Sequence, residues 1–488
     1  MQQANVKKNL IYNTLYQTLN LLVPLITAPY MSRLFGADGI GVQSYVGSIA
    51  MYFSVFAQLG TQSYGQREIA MCRDDKEKAS RTFWGIEVVS IITTLISLTV
   101  WGGVTLLSGS YMPFFIVYSL SIINVAFDVS WFFIGYEQFK IIVIRNLFIK
   151  TAIVATLFGL CHKKSDLLIY IALTCLATFL GSVSLWPLLR KRITKISFKN
   201  LNLKRHFTQT LVYFIPTIAT NIYMVLDKIM IGVITDRFEN GYYEQTTKIT
   251  NMAIVFVSAI NGVMYPRMSH LFAENKKAEM KAKFDKSINF ILFLAIPMVL
   301  GLMVIANDFI PAFFGPGYDK VVDLLRVYCI LIVITAIGGC ITSQYLVPIG
   351  KRKESSKVIV VGTLVNLGIN LCLIPILKSM GAVIASIISE ILILILFVRM
   401  SKGFVTWTEL WKATWKRLIA GLIMAIILIG FGFVETSFGN NGLINCIVRV
   451  LIQVSAGALI YFLVLLILRD SSLIEYGTLV ANKVRRKE

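Results

Sequence analysis

Residues 287–307 read SINFILFLAIPMVLGLMVIAN and lie between Lys286 and Asp308. This stretch contains no charged residue, and about 20 such residues are enough for a helix to cross the hydrocarbon core of a bilayer. Similar apolar blocks recur along the chain, which has 488 residues, 56% of them hydrophobic and 15% charged. Soluble domains carry about 25% charged residues. The composition therefore argues against a soluble enzyme, a nucleic-acid-binding domain and a disordered scaffold, and it indicates a membrane protein.

Polar breaks divide the chain into fourteen apolar blocks, which predict an all-α polytopic protein with fourteen transmembrane helices. The predicted spans are residues 8–31, 39–63, 82–107, 112–135, 140–161, 166–189, 206–232, 241–265, 284–307, 321–347, 355–377, 380–400, 415–434 and 441–468. The first block is predicted to be a retained helix, because no small-residue cleavage site ends it.

The distribution of basic residues tests this count, because cytoplasmic loops of membrane proteins are enriched in Lys and Arg. The termini and the loops on their side, counted with the span ends next to them, hold 36 of the 47 basic residues, and the opposite loops hold six. The remaining five lie inside spans: Lys150, Lys228, Lys248, Arg326 and Arg449. We therefore predict that both termini are cytoplasmic. The net charge of +21 follows from this orientation and is no evidence for a nucleic-acid partner.

A shift of 200 residues aligns the two halves of the chain without gaps and places Gly41 on Gly241. The shift skips six spans, so the two copies have the same orientation. We predict a parallel repeat of two six-helix lobes, followed by two additional C-terminal helices. Such repeats are typical of transporters that bind their substrate between the halves. The predicted domains are residues 1–200, 201–400, 401–417 and 418–488, the last one including a cytoplasmic tail.

The third of these domains, residues 401–417, reads SKGFVTWTELWKATWKR. Its three tryptophans, Trp407, Trp411 and Trp415, recur every four residues and share one helical face, with basic residues around them. This pattern predicts an amphipathic helix lying on an anionic membrane surface. The alternative is a belt of Trp at the end of span 13, because Trp is enriched at membrane interfaces in general.

Charged side chains inside the spans are candidates for the functional site, because charges at membrane depth usually face a partner or a wet cavity. Asp227 and Lys228 lie near the end of span 7, and Lys248 lies about 10 Å below the outer edge in span 8. We predict that Asp227 and Lys248 meet, with Lys228 beside them. A purely structural ion pair is the alternative. Additional cations would suit an anionic substrate such as a phosphate or pyrophosphate.

A second group of charges is predicted between spans 4 and 5, where Asp128 can pair with either Arg145 or Lys150. A structural link between the two helices is the alternative. Glu87 and Glu390 are lone acids in spans 3 and 12. Either could carry a coupling proton or cation, because a buried carboxylate readily changes its protonation state. Either could also form a hydrogen bond while neutral.

Prolines interrupt the first span of each predicted lobe. Pro24 and Pro29 lie in span 1, and Pro216 lies in span 7. Because proline removes a helical hydrogen bond, we expect these helices to bend, and bending suits a gate. The sequence contains no phosphate-binding P-loop, no H-E-x-x-H zinc motif and no convincing Ser-His-Asp set. We therefore expect no catalytic residue, no metal and no cofactor, and a protein that is not an enzyme.

Four runs carry a resemblance to a known family: residues 29–36 (PYMSRLFG), 64–70 (YGQREIA), 131–135 (WFFIG) through Arg145-Asn146, and 241–249 (GYYEQTTKI). They resemble the Wzx-type flippases of bacterial polysaccharide and teichoic-acid assembly, in the multidrug/oligosaccharidyl-lipid/polysaccharide exporter superfamily. The resemblance covers essentially the whole chain. Ile134 departs from the family pattern, which usually has Gln at that position.

The resemblance implies a V-shaped, two-lobed fold with fourteen helices. It implies that an undecaprenyl-pyrophosphate-linked oligosaccharide or teichoic-acid precursor moves from the cytoplasmic to the outer leaflet of the bacterial plasma membrane. The head group would cross a central cationic cavity containing Arg33, Lys228, Lys248 and Asp227. Membrane lipids and the proteins of polysaccharide or teichoic-acid synthesis and ligation are the implied partners. The coupling ion, proton or sodium, stays open.

Other functions stay open beside this one. A cation-coupled multidrug exporter of the same superfamily would need acidic residues in the first lobe, and spans 1 and 2 contain none. An assembly partner of a polysaccharide synthesis complex would not transport at all. A membrane polymerase or ligase would normally present a large outer loop, which this sequence does not predict.

Overall fold

The computed structural model describes residues 6–194, 196, 201–432, 442–470 and 473 of the chain. Side-chain surroundings are described from residue 23 onward, except at 215–217, 219, 220, 222–224, 431, 432, 442 and 443. Within these ranges every regular element is a helix.

The first half of the chain forms nine α-helices, some of them separated by short 3₁₀ turns. They are α1 (Val6–Gln58), α2 (Thr61–Cys72), α3 (Lys76–Leu107), α4 (Met112–Ile123), α5 (Ser130–Gly135), α6 (Phe139–Leu160), α7 (Leu167–Val183), α8 (Trp186–Arg190) and α9 (Leu203–Ile234). The 3₁₀ turns are Gly109–Tyr111, Asn124–Phe127 and Lys164–Asp166.

The second half continues with eight α-helices. They are α10 (Arg237–Ala273), α11 (Lys277–Phe314), α12 (Asp319–Tyr328), α13 (Leu331–Ile341), α14 (Arg352–Leu377), α15 (Ser379–Met400), α16 (Trp407–Gly432) and α17 (Gly442–Ile467). A π-helical turn, Thr342–Leu346, follows α13.

These helices account for the predicted spans. Within the described ranges, eleven helical stretches are long and apolar enough to cross a membrane, and α12 with the helix after it forms a bent twelfth. One of the eleven, residues 23–72, holds parts of the first two predicted spans on either side of Gly36. In addition, α9 covers the seventh predicted span. The all-α membrane fold is confirmed, and the helices are compatible with fourteen spans.

Local sequence signals explain where the first helices begin and end. The helical path of α1 is interrupted at Gly36, whose φ is 69°. Left-handed backbone suits glycine, because glycine has no Cβ to clash with the backbone. Gly60, with φ 76°, precedes α2 in the same way. Asp75 then starts α3 by accepting the backbone N–H groups of Glu77 and Lys78 at 3.1 and 3.0 Å, as an N-cap residue does.

The chain divides into two compact units, residues 1–241 and 242–488. The division falls inside α10, after Gly241, whereas the sequence predicted a lobe boundary after residue 200. The difference arises because α9 packs on α1, α2 and α3 of the first unit. The parallel repeat of two six-helix lobes stays a prediction.

Aromatic side chains fill the core of the first unit. Trp101 and Phe115 stack with their ring centroids 4.8 Å apart, and the Trp101 indole donates to the Phe115 carbonyl oxygen at 3.1 Å. A second cluster is built around Phe83 and Trp131, which stack at 5.5 Å. Large rings of this kind bury much apolar area, and the indole finds a hydrogen-bond partner as buried Trp usually does. Both clusters include side chains of α3 and pack this helix against neighbouring helices.

In the second unit, α16 is one continuous helix from Trp407 to Gly432. The segment 401–417 therefore does not form an element of its own, because no proline interrupts the chain between the tryptophans and the apolar span. Trp407, Trp411 and Trp415 are largely exposed on the first turns of this helix. The amphipathic surface helix and its alternative, a Trp belt at the end of a span, both stay predictions. Contact with a membrane surface stays a prediction.

A buried ion pair ties the start of α16 to the end of α17. The Arg417 guanidinium lies 3.4 Å from the Asp470 carboxylate, and the two side chains are 1% and 6% exposed. Lys416 adds a hydrogen bond from Nζ to the Arg469 carbonyl oxygen at 3.1 Å. A buried charge needs such a partner, because removing it from water is costly. The last two helices are thereby joined at one end.

Candidate functional site

Arg33 lies near the break in α1, and its side chain is exposed. Beyond the break, the Asp38 carboxylate pairs with Lys164 Nζ at 2.8 Å. Before it, the Tyr30 hydroxyl donates to the Cys161 carbonyl oxygen at 2.7 Å. These two contacts hold this part of α1 against the segment between α6 and α7, and thus position the backbone that presents Arg33.

Asp227 and Lys228 are neighbours on α9 and point to different sides, since successive residues of an α-helix are about 100° apart. Asp227 is buried and interacts electrostatically with the Tyr52 phenol on α1. Lys228 is half-buried, and its carbonyl oxygen accepts a hydrogen bond from Asn240 Nδ2 at 2.9 Å. The pair of charges therefore sits where α9 is tied both to α1 and to the start of α10.

Lys248 lies on α10 with its Nζ 3.9 Å from Glu244 Oε1, and the two side chains are 23% and 19% exposed. The sequence analysis missed Glu244, although a spacing of four residues is a known signal for an ion pair on one helix face. Asp227 belongs to the first unit and Lys248 to the second. Their pairing stays a prediction.

Asp128 accepts several hydrogen bonds just before α5. The Arg145 guanidinium of α6 lies 3.0 Å from its Oδ1. The Arg145 side chain is 12% exposed and the Asp128 side chain is 18% exposed. Gln62 Nε2 donates to Oδ2 at 3.3 Å, and the Ser130 backbone N–H donates to Oδ1 at 3.1 Å. The sequence left Arg145 and Lys150 open as partners, and the structure places Arg145 on Asp128.

Glu87 lies on α3 and is 1% exposed. Its Oε1 has no hydrogen-bond partner among the described residues. The Asp128 carboxylate interacts with it electrostatically, so Glu87 is not the lone acid that the sequence suggested. The two acids come from different predicted spans and are brought together because α3 packs on the turn Asn124–Phe127.

The other predicted residues lie apart along the chain. Lys150 is half-buried on α6, five residues after Arg145, and Glu390 is half-buried on α15 in the second unit. Pro24 lies inside α1, as Pro29 does. Pro216 falls in the part of α9 whose side chains are outside the described set. Gating at these prolines stays a prediction.

A polar cluster that the sequence analysis missed joins α2 to α9. The Tyr64 hydroxyl lies 2.9 Å from His206 Nδ1, and Arg67 donates to the Tyr213 hydroxyl at 2.7 Å. An ion pair between Glu68 and Arg205, 3.2 Å long, adds to it. These residues are 137 to 146 positions apart in sequence. Only the fold could bring them together.

The charged groups differ in the chemistry that they offer. Arg33, Lys228 and Lys248 can donate to phosphate oxygens, which Arg and Lys bind through charge-assisted hydrogen bonds. Glu87 and Asp128 form a carboxyl pair with one guanidinium. Among the described residues, no group of three or more His, Cys, Asp or Glu side chains is placed to hold a metal ion.

Comparison with known sequences gives a match over more than half of the chain. A family described as "Polysaccharide biosynthesis protein" matches residues 6–272. A relative from Escherichia coli strain K12, named "Putative O-antigen transporter", is 25% identical over 412 residues, which cover 82% of this chain and 98% of the relative.

Two kinds of solved structure resemble the fold. A structure described as lipid II flippase MurJ in an inward closed conformation gives a TM-score of 0.72 at 14% identity, covering 97% of this chain and 99% of that one. An inward-facing multidrug resistance MATE family transporter of the MOP superfamily gives 0.58 at 14% identity, covering 80% and 98%. At these identities the likeness shows the fold alone.

Proposed function

Since this chain belongs to the polysaccharide biosynthesis protein family, we propose that it moves a polyprenyl-pyrophosphate-linked glycan from the cytoplasmic to the outer leaflet of the bacterial plasma membrane. The glycan would be an oligosaccharide or a teichoic-acid precursor. The name of the Escherichia coli relative, an O-antigen transporter, supports a lipid-linked glycan as the substrate class.

The observation that supports this proposal is a set of cationic side chains on three helices that contain predicted apolar spans. Arg33, Lys228 and Lys248 come from α1, α9 and α10. Lys228 and Lys248 lie inside predicted spans, where cations are costly and usually functional. Fixed Lys and Arg groups, Arg33 included, bind phosphate well. Asp227 would orient the cations and limit how tightly the head group is held. Together they would form a cationic cavity for the pyrophosphate.

We propose that this movement occurs by alternating access. The pyrophosphate and sugars would cross through the cavity, while the polyprenyl chain stays in the bilayer. No covalent bond forms or breaks, so the protein would act as a transporter, with synthesis enzymes supplying the substrate and ligation enzymes consuming it. The membrane potential supplies about 2.3 kcal/mol per charge and 100 mV.

A cation-coupled multidrug exporter is the second candidate. The buried Glu87 and the half-buried Asp128 in the first unit favour it, since such an exporter needs acidic groups there. The absence of acids from the first two predicted spans argues against it. A non-transporting assembly partner is the third candidate, and the cations on membrane helices argue against that one.

Flipping of a lectin-detectable lipid-linked oligosaccharide in proteoliposomes tests the proposal. We expect the wild type to flip it, and Lys228→Ala and Lys248→Ala each to slow flipping about tenfold or more, because a lost charge contact is worth at least about 1.4 kcal/mol.

Lys283→Ala is the matched control, because Lys283 forms the same kind of pair with Glu279, at 3.3 Å and a spacing of four residues. We expect it to flip at the wild-type rate. A wild type that moves no glycolipid but exports a cationic dye along an ion gradient would establish the exporter instead. A wild type that moves neither the glycolipid nor the dye would favour the third candidate, the non-transporting assembly partner.

A further inference from the structure

Glu87 is the most deeply buried acid of the first unit, and it makes no hydrogen bond among the described residues. It is 1% exposed, and its Oε1 has no partner among the described residues. Buried polar groups are almost always hydrogen-bonded, so an exception of this kind calls for an explanation. Helix stability does not explain it, since an apolar residue would serve α3 at least as well.

The neighbouring acid, Asp128, is by contrast fully engaged. Arg145, Gln62 and the Ser130 N–H all donate to its carboxylate at 3.0 to 3.3 Å. The positive charge of Arg145 is therefore committed to Asp128. A second ionised carboxylate beside it would be buried with no counter-charge of its own, which costs several kcal/mol. In this arrangement Glu87 is accordingly the neutral, proton-bearing acid of the pair.

Lys204 and His206 of α9 lie near this part of α3 but on a different side of the helix, and Lys204 lines a cavity together with Val89. His206 of α9 faces α3 at Gly85, where an added Cβ would lie 2.6 Å from the ring. Two residues correspond to about 200° around a helix, so Gly85 and Glu87 point in nearly opposite directions. Among the described residues, the charged group that interacts with Glu87 is Asp128. The occupancy of the proton on Glu87 thus depends on Arg145 remaining on Asp128.

We propose that Glu87 is a proton-binding site that couples transport to the proton gradient, with Asp128 and Arg145 as the positioning residues that control its occupancy. A proton from the outer side forms an O–H bond with the Glu87 carboxylate. When Arg145 moves from Asp128 toward Glu87, that bond breaks and the proton leaves on the cytoplasmic side, while the lipid-linked glycan moves outward. This coupling rests on the proposed flippase function.

Infrared spectroscopy of the purified full-length protein in lipid nanodiscs tests the proton site without any transport. The wild type is expected to show the carbonyl band of a protonated carboxylic acid at neutral pH, and Glu87→Gln to lose it. Glu77→Gln is the matched control, because Glu77 lies on the same helix, its side chain is 67% exposed and it pairs with Arg81. It is expected to keep the band. A band that survives in Glu87→Gln overturns the proposal.

Proteoliposomes test the coupling. If one proton moves for each glycan, a gradient of one pH unit changes the equilibrium ratio of glycolipid between the two leaflets about tenfold. The wild type and Glu77→Gln are expected to show this tenfold shift, and Glu87→Gln is expected to show none while still exchanging glycolipid across the membrane.

The outcomes are distinguishable. If Glu87→Gln retains the tenfold shift in glycolipid distribution, the coupling is overturned. The coupling is also overturned if Glu87→Gln loses both the shift and the exchange of glycolipid across the membrane. If the wild type flips no glycolipid, the flippase function fails and the coupling with it. The infrared result then decides separately whether Glu87 binds a proton.

Discussion

Gly41 packs against the backbone just before Gly241, and Gly241 packs against the backbone just before Gly41. A Cβ at Gly41 would fall 1.7 Å from the Arg237 carbonyl oxygen, and a Cβ at Gly241 would fall 1.9 Å from the Ala37 carbonyl oxygen. Ala37 and Arg237 each stand four residues before one of the glycines. The contact is therefore reciprocal, and the 200-residue shift that aligns the glycines also aligns the carbonyl groups that they touch.

Substituting either glycine should be destabilising. Gly41→Ala or Gly241→Ala would force a methyl group into a backbone carbonyl, which cannot move as a side chain can. Overpacking of this kind costs about 1–3 kcal/mol. We expect a lower melting temperature in detergent for both variants. Gly102→Ala is the control, because no atom lies within 4 Å of its added Cβ. Equal melting temperatures for all three variants would contradict the close approach.

Arg417→Ala should destabilise the second unit by about 3–5 kcal/mol, because it leaves Asp470 buried without its guanidinium partner. Equilibrium unfolding followed by circular dichroism measures this loss. Arg73→Ala is the control, since Arg73 pairs with Glu137 at 2.9 Å in an exposed setting, where a pair contributes at most about 1 kcal/mol. Similar losses in the two variants would show that burial of the Arg417 pair has no effect.

Glu244→Gln should tighten binding of an anionic head group. The substitution removes a negative charge 3.9 Å from Lys248 Nζ and so raises the positive potential at that position. We expect the Kd for a pyrophosphate-bearing glycolipid to fall by up to about tenfold, with the difference shrinking at high salt. Glu279→Gln, beside Lys283, should leave the Kd unchanged. Weaker binding by Glu244→Gln would place Lys248 outside the binding site.

The predicted orientation can be tested at two exposed histidines. His162 lies between α6 and α7, on the predicted outer side, and His270 lies near the end of α10, on the predicted cytoplasmic side. A membrane-impermeant thiol reagent applied to intact cells should label His162→Cys and not His270→Cys. The wild type has seven free cysteines, so its labelling measures the background of the experiment. Labelling of His270→Cys in intact cells would reverse the orientation.

The membrane fold was predictable because hydropathy is a local property. Residues 287–307 fall within α11 (Lys277–Phe314), and the described parts of the other apolar blocks also fall largely on helices. Element boundaries were harder to predict. Residues 407–417 of the amphipathic segment before span 13 form the beginning of α16, and no proline interrupts this helix between Trp407 and Gly432.

The candidate site was predictable only as a set of unusual residues. Charges in apolar spans stand out in the sequence, so Asp128, Glu87 and Lys248 could be selected without a structure. Their partners could not. Asp128 had two basic residues within reach along α6, and the sequence offered no reason to prefer Arg145 over Lys150.

By itself the sequence determined that this chain is a bundle of membrane helices, and which of their residues are too polar for that environment. Only the tertiary structure decided that Arg145 pairs with Asp128, that Glu87 lies beside that pair, and that two glycines 200 residues apart share one contact. The physical reason is that burial in lipid depends on the composition of each segment. Pairing depends instead on the rotation of each helix about its axis, and that rotation is set by the packing of helices against one another.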